Sequence, residues 1–90
     1  MADKRWPICV DGVNQGILRL QKEIARRLSK KGPGAFIGPH ETYGIIAEEV
    51  HELLHAIQEN DSGESGLAAI EDELLDIAVA AILAVASMRS

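Results

Sequence analysis

The chain has 90 residues, a formal net charge of −5, 47% apolar residues and only 3% aromatic residues. This length fits one small domain, and a core with so few aromatics must be built from Leu, Ile, Val and Ala, which predicts an all-α fold. Eight of the nine Lys and Arg lie in residues 4–31 and eleven of the fourteen acids lie in residues 41–76, so the dominant basic face of a nucleic-acid-binding protein is not expected.

The composition also bears on the compartment. Cys9 is the only cysteine, so an intrachain disulfide is excluded and a reducing compartment is expected. Residues 1–7 lack the apolar core of a secretion signal. The apolar run at residues 77–86 is much shorter than the roughly 20 residues that cross a bilayer. We therefore expect a soluble, cytoplasmic protein that has no contact with membranes.

The first half of the chain predicts an irregular arm and one helix. Residues 1–10 have no helical pattern, and Asp11 is placed to cap a helix that continues to about Lys31. Apolar residues recur along this segment at helical spacing: Val13, Ile17, Leu20, Ile24 and Leu28. The sequence Lys30-Lys31-Gly32-Pro33 is a strong helix stop, and the glycine-rich residues 32–38 are interpreted as a connector.

The second half predicts two more helices. The first runs from about Pro39 to Glu59, and the turn-forming residues 60–66 separate it from a helix between about Leu67 and Met88. From Leu74 to Ala86 the only polar residue is Asp76, so this helix should be buried on every side. Two neighbouring helices can hardly cover it. We therefore predict a helical-hairpin-based protomer of three main helices that completes a helical bundle by homo-oligomerisation.

Two pairs of acids stand on these helices. Glu49 and Glu52 are three residues apart and so are Glu73 and Asp76, which places each pair on one helix face among apolar residues. Carboxylates in apolar company need a partner, a hydrogen bond or a metal. Oxygen ligands select hard cations, so the four acids predict a site for Mg²⁺, with Mn²⁺ as the alternative, of the kind used in phosphate chemistry.

The spacing of these acids carries a family resemblance. Glu48-Glu49-x-x-Glu52, twenty intervening residues and Glu73-x-x-Asp76 resemble the EExxE…ExxD signature of the MazG-like, all-α nucleoside triphosphate pyrophosphohydrolases. The string from His40 to Leu53 is similar to the start of the metal-binding helix in small, often phage-borne members. The likeness covers roughly residues 12–88, and residues 11–90 are the expected domain.

The resemblance implies Mg²⁺-dependent hydrolysis of a nucleoside triphosphate to the monophosphate and pyrophosphate, as in nucleotide-pool cleaning. It implies that Glu49, Glu52, Glu73 and Asp76 bind the metal, that Glu48 holds or activates the attacking water, and that the assembly is a homodimer or homotetramer. The chain departs from the family after Asp76, where Ile77 to Ala80 replace the aromatic, Asn or Lys residues that often contact base and phosphates.

Other interpretations stay open. One is a helical interaction protein that merely self-associates, with its acids serving solubility. Another is a di-iron carboxylate bundle, because Glu52-x-x-His55 and Glu48-x-x-His51 have the spacing of such sites. The basic residues Lys22, Arg26 and Lys30 lie on one side of the first helix, where they either face a triphosphate or form a solvated face.

Overall fold

A computed structural model of the chain describes residues 7–32, 34, 38–59 and 64–89. These residues form three helices, α1 (Val10–Lys31), α2 (Pro39–Glu59) and α3 (Glu64–Met88), and they contain no strand. The all-α class and the number of helices predicted from the sequence are confirmed. Most of the predicted N-terminal arm and residues 60–63 of the predicted turn lie outside the described residues.

Helix α1 is capped two residues earlier than predicted, by a different residue. Cys9 is the N-cap, and its Sγ accepts a hydrogen bond from the backbone N–H of Gly12 at 3.3 Å. Asp11 instead lies in the first turn, where a negative charge complements the helix dipole. The helix ends as predicted, because Gly32 adopts a positive φ of 73° and its N–H donates to the carbonyl of Leu28 at 2.9 Å.

The bounds of α2 agree with the prediction, whereas α3 starts three residues before the predicted Leu67. At the start of α2 the carbonyl of Gly38 accepts from both the backbone N–H and the hydroxyl of Thr42, each at 3.0 Å. In α3, Gly66 falls in the first turn and is buried. A glycine there lies outside the helix interior, where its conformational entropy is most destabilising.

Helix α3 is the central element of the fold. It contacts α2 extensively and α1 less so, while α1 and α2 make no close backbone approach within the described ranges. The guanidinium of Arg19 binds Glu71 and, at 2.7 Å, Asp72. Farther along both helices, Arg26 and Lys30 of α1 line a cavity with Val79 and Ala80 of α3, so α1 and α3 run in the same direction. Helix α2 runs the opposite way, with its first turns beside Ser87 and Met88.

The core of a single protomer is small. The buried apolar residues are Val79, Ala80 and Ala84, all on α3, and no described side chain is fully buried. The prediction that α3 is buried on every side is therefore not met within one protomer. None of the helices in the described residues has the length and apolarity that a membrane crossing would require.

Candidate metal centre

Four carboxylates meet where α2 crosses α3. The structure brings together Glu49 and Glu52 from α2 with Glu73 and Asp76 from α3, and one oxygen from each lies within 4.8 Å of all the others. These four residues are called the carboxylate cluster below. They are the four that the sequence predicted as ligands, and the three-residue spacing puts each pair on the face that meets the other helix.

The cluster is partly withdrawn from water. Glu49 and Glu73 are half-buried, and the Oε2 atom of each is buried without a hydrogen-bond partner among the described residues. Glu52 and Asp76 are exposed. The expectation that α3 is buried on every side therefore fails at Asp76, because the apolar residues around it on α3 are themselves incompletely covered. A buried carboxylate oxygen without a partner is energetically costly, which makes a bound cation chemically reasonable at this position.

Burial and mutual repulsion both disfavour ionisation of the inner acids. Burial is the largest cause that raises the pKa of Glu49, followed by the charges of Glu52, Asp76, Glu73 and Glu48. The pKa of Glu73 is raised by burial first and then by the charge of Asp76, and Glu52 adds both charge and a hydrogen bond. A carboxylate without a cation partner is expected to show such shifts.

Charged residues on α1 also affect the pKa of Asp76. Burial raises its pKa first, and the nearby carboxylates of Glu23 and Glu52 raise it further, while the guanidinium of Arg26 lowers it. Glu23 itself accepts hydrogen bonds from Nε and Nη2 of Arg26 at 3.2 and 2.9 Å. The cluster is therefore electrostatically coupled to an ion pair on the neighbouring helix.

The size and chemistry of the cluster fit a hard divalent cation. Ligand oxygens at about 2.1 Å from Mg²⁺ lie up to about 4.2 Å from one another in an octahedron, which is comparable with the 4.8 Å within which the four oxygens lie. All four donors are carboxylates, which suit Mg²⁺, Mn²⁺ or Ca²⁺ better than the softer transition metals. The donor set by itself leaves the identity of the ion open.

Glu48 lies beside the cluster and outside it. It is exposed and borders a shallow depression of about 370 Å³ together with Ala47, His51 and Glu52. No histidine joins the four acids in the only potential metal-binding group among the described residues. The Glu-x-x-His spacings noted in the sequence thus do not converge within the protomer, and this arrangement gives no support to a di-iron centre.

A cavity of about 320 Å³ opens from one edge of the cluster. Two members of the cluster, Glu49 and Asp76, line it from α2 and α3. Helix α1 provides the opposite wall with Glu23, Arg26, Arg27 and Lys30, and apolar groups complete the lining: Ile45, Val79 and Ala80. This volume is at the lower end of the roughly 300–1,000 Å³ typical of ligand pockets.

The sequence identified this basic wall only in part. The sequence predicts that Arg26 and Lys30, four residues apart, share one side of the helix, and both line the cavity. The sequence predicts Lys22 on the same side, but Lys22 does not line the cavity. Arg27, which the sequence did not indicate, does line it. Spacing along α1 shows which residues share a face, but the contact of Arg19 with α3 fixes where that face points.

Comparison with protein-family models gave no match, and neither did comparison with curated proteins or with solved structures. The fold class and the cluster therefore stand on the structure, and the resemblance to the pyrophosphohydrolases stands on the spacing of the acids.

Proposed function

We propose that this protein is a Mg²⁺-dependent nucleoside triphosphate pyrophosphohydrolase of the MazG-like, all-α type. The single observation that carries the proposal is the convergence of Glu49, Glu52, Glu73 and Asp76 within 4.8 Å. The same four residues are the metal ligands that the motif resemblance implies. A cavity with basic residues beside the cluster supports a substrate that carries several negative charges.

Each residue has a definite part in this proposal. The carboxylate cluster holds the cation, and a bound Mg²⁺ supplies Lewis-acid polarisation of phosphate oxygens and charge neutralisation. Glu48, one residue before the first ligand, holds the attacking water and accepts its proton. The apolar residues Val79 and Ala80 reduce the access of bulk water to the cavity.

The reaction proposed is a hydrolysis between the α and β phosphates. The oxygen of a water molecule bonds to the α-phosphorus, and the bond from that phosphorus to the bridging oxygen breaks. Pyrophosphate leaves with the bonding electron pair, while one water proton passes to Glu48 and then to solvent. The products are a nucleoside monophosphate and pyrophosphate, and no redox partner is needed.

A direct test is the release of pyrophosphate from a panel of deoxynucleoside triphosphates in the presence of Mg²⁺. We expect turnover by the wild-type chain and a fall of at least about a hundredfold in Glu49→Gln and in Asp76→Asn, since each removes a charged ligand from the cluster. Glu48→Gln should lose activity yet still bind Mg²⁺.

The matched control is Glu59→Gln, which makes the same chemical change at an exposed position on α2; among the described residues its carboxylate lies within ion-pair distance only of His55, at 3.6 Å. It should retain wild-type activity. Undiminished activity in both Glu49→Gln and Asp76→Asn would refute the assignment of the cluster as the catalytic metal site.

Self-association is part of the same proposal. Large apolar side chains on α3 remain about half exposed in the protomer, among them Leu74, Ile82 and Val85. Steps of 100° per residue place them on one side of α3, away from Asp76, Val79 and Ala80, which line the cavity. A second copy of the chain is the proposed cover, and it would leave the cavity open to substrate.

This exposed apolar side also supports a second candidate function, an interaction protein without catalysis. The two candidates differ at the carboxylate cluster, because an interaction protein gives no reason for two buried carboxylate oxygens that lack partners among the described residues. Binding of a divalent cation distinguishes them, because only the metal site requires it.

A further inference from the structure

The cations of this chain are concentrated on one helix. Between Gly32 and Met88 the sequence contains no Lys or Arg, so α2 and most of α3 provide only negative charge. Any positive wall for a ligand at the carboxylate cluster must therefore come from α1 or from the ends of the chain. In the described residues it comes from α1, through Arg26, Arg27 and Lys30.

The cavity extends in a definite direction from the cluster. Arg19 lies beside Glu71 and Asp72. Because α1 and α3 run in the same direction, the residues of α1 that follow Arg19 lie beside residues of α3 that follow Asp72. The lining of the cavity passes from Asp76 to Ala80, a rise of about 6 Å. A ligand anchored at the cluster would thus continue beneath the basic residues of α1.

Not all of these basic residues form an ion pair with another described residue of the protomer. Arg26 is held by Glu23, at 2.9 Å from Nη2, which fixes its guanidinium next to the cavity. Across the residues that the structure describes, Arg27 and Lys30 have no carboxylate within ion-pair distance. Arg26 and Lys30 are also a like-charged pair four residues apart, an arrangement that destabilises a helix unless an anion offsets it.

We propose that Arg26, Arg27 and Lys30 form the binding wall for the β and γ phosphates of the substrate, and hence for the departing pyrophosphate. The inference rests on the proposed function and specifies which end of the substrate lies where. Glu49 and Asp76 would help to hold the cation that contacts one phosphate, and the rest of the phosphate chain would lie along α1. Guanidinium groups bind phosphate oxygens in pairs, and the Lys30 ammonium adds a compact charge.

The test measures the binding of inorganic pyrophosphate, in the presence of Mg²⁺, by isothermal titration calorimetry. We compare the wild type with the double variant Arg27→Gln/Lys30→Gln, which leaves the Glu23–Arg26 pair in place. Hydrogen bonds to charged groups are strong enough that losing two should raise the Kd at least about tenfold. Both positions are exposed, so the fold should persist, and circular dichroism checks it.

The matched control is Lys22→Gln, which removes one exposed charge from the same helix outside the cavity. Its Kd for pyrophosphate should change less than about twofold, because its charge is screened by solvent and salt. Binding of Mg²⁺ alone should be the same in the wild type, the double variant and the control.

The outcomes separate this inference from the proposed function. Equal pyrophosphate affinity in the wild type and the double variant, or no binding of pyrophosphate to the wild type, would overturn the inference even if nucleotides are hydrolysed. Pyrophosphate binding that depends on Arg27 and Lys30, with no hydrolysis of any triphosphate, would support the binding wall and refute the proposed reaction.

Discussion

At the scale of single residues, the main feature is the crowding of negative charge at the carboxylate cluster. Glu49 and Glu73 each have a buried oxygen without a partner in the part of the chain that the structure describes, and burial and neighbouring carboxylates raise the pKa of both. No Lys or Arg occurs on α2, and the nearby Arg26 of α1 is already paired with Glu23, so a proton or a bound cation is expected to relieve this repulsion. The cluster should therefore respond strongly to divalent ions and to pH.

The first prediction concerns thermal stability in the presence of Mg²⁺. A ligand at 100 times its Kd stabilises the folded state by about 2.7 kcal/mol, which for a domain of this size corresponds to a rise in Tm of about 10 to 20 °C. Differential scanning calorimetry with and without Mg²⁺ measures it. Glu49→Gln should lose most of the rise and Glu59→Gln should keep it. An unchanged Tm in the wild type would favour the interaction protein.

The second prediction concerns pH without divalent ions. The raised pKa values mean that folded Glu49 and Glu73 keep protons that the unfolded chain releases at the ordinary value of 4.5. Stability from these groups is therefore present below pH 4.5 and is lost as pH rises through the folded pKa values. The Tm of the metal-free protein should therefore fall as the pH rises above about 4.5.

Two controls identify the groups responsible for that fall. The double variant Glu49→Gln/Glu73→Gln should show a weaker dependence on pH, because its amides do not ionise. Saturating Mg²⁺ should also flatten the profile of the wild type, because the cation binds the ionised form. A double variant with the wild-type profile would contradict the assignment of the pH effect to these two acids.

At the scale of elements, the contact between α2 and α3 decides whether the two acid pairs meet. Small buried residues on α3, Ala80 and Ala84, lie in the core, and their size lets the two helix backbones come close. Glu73 and Asp76 precede them by one to three turns. The alanines contribute little buried area. They matter chiefly because their small side chains permit a short distance between the helix backbones.

The third prediction is that Ala84→Leu destabilises the fold. A larger side chain at a position only 5% exposed overfills the contact, and such changes typically cost about 1 to 3 kcal/mol. Urea unfolding monitored by circular dichroism measures the free energy of unfolding. Ala86→Leu, at an exposed position on the same helix, should change it by less than about 0.5 kcal/mol. Equal effects in the two variants would argue against this tight contact.

At the scale of the whole molecule, one protomer is more open than a compact domain of the same length. It exposes 7477 Å², whereas a folded monomer of this mass exposes roughly 5,100 Å². Its radius of gyration is 14.9 Å, against about 12 Å for a compact domain of 90 residues. This openness supports the proposed self-association, because obligate interfaces cover large areas of apolar surface.

The fourth prediction is that the chain self-associates through the exposed side of α3. Light scattering coupled to size-exclusion chromatography should give a mass of at least twice the 9.7 kDa of one chain. Val85→Glu places a charge on that side and should shift the mass toward a monomer. Ala25→Glu adds the same charge at an exposed position on α1 and should leave the mass unchanged. A monomeric wild type would contradict the prediction.

The sequence by itself determined the local features of this protein. Helical periodicity and the stop at Gly32 predicted three helices. The spacing of Glu49/Glu52 and Glu73/Asp76 predicted one pair of acids on one face of each of two helices. These features depend on contacts within a few residues of the chain, such as the hydrogen bond from Gly32 to Leu28, so the local sequence specifies them.

Only the tertiary structure decided how the helices face one another. The parallel course of α1 and α3, marked by Arg19 and Asp72, brings Arg27 into the cavity and leaves Lys22 outside it. The packing of the three helices also leaves Asp76 exposed, whereas the apolar residues around it in the sequence predict that it is buried. Spacing along one helix fixes which residues share a face, but the direction of that face depends on packing between residues distant in sequence.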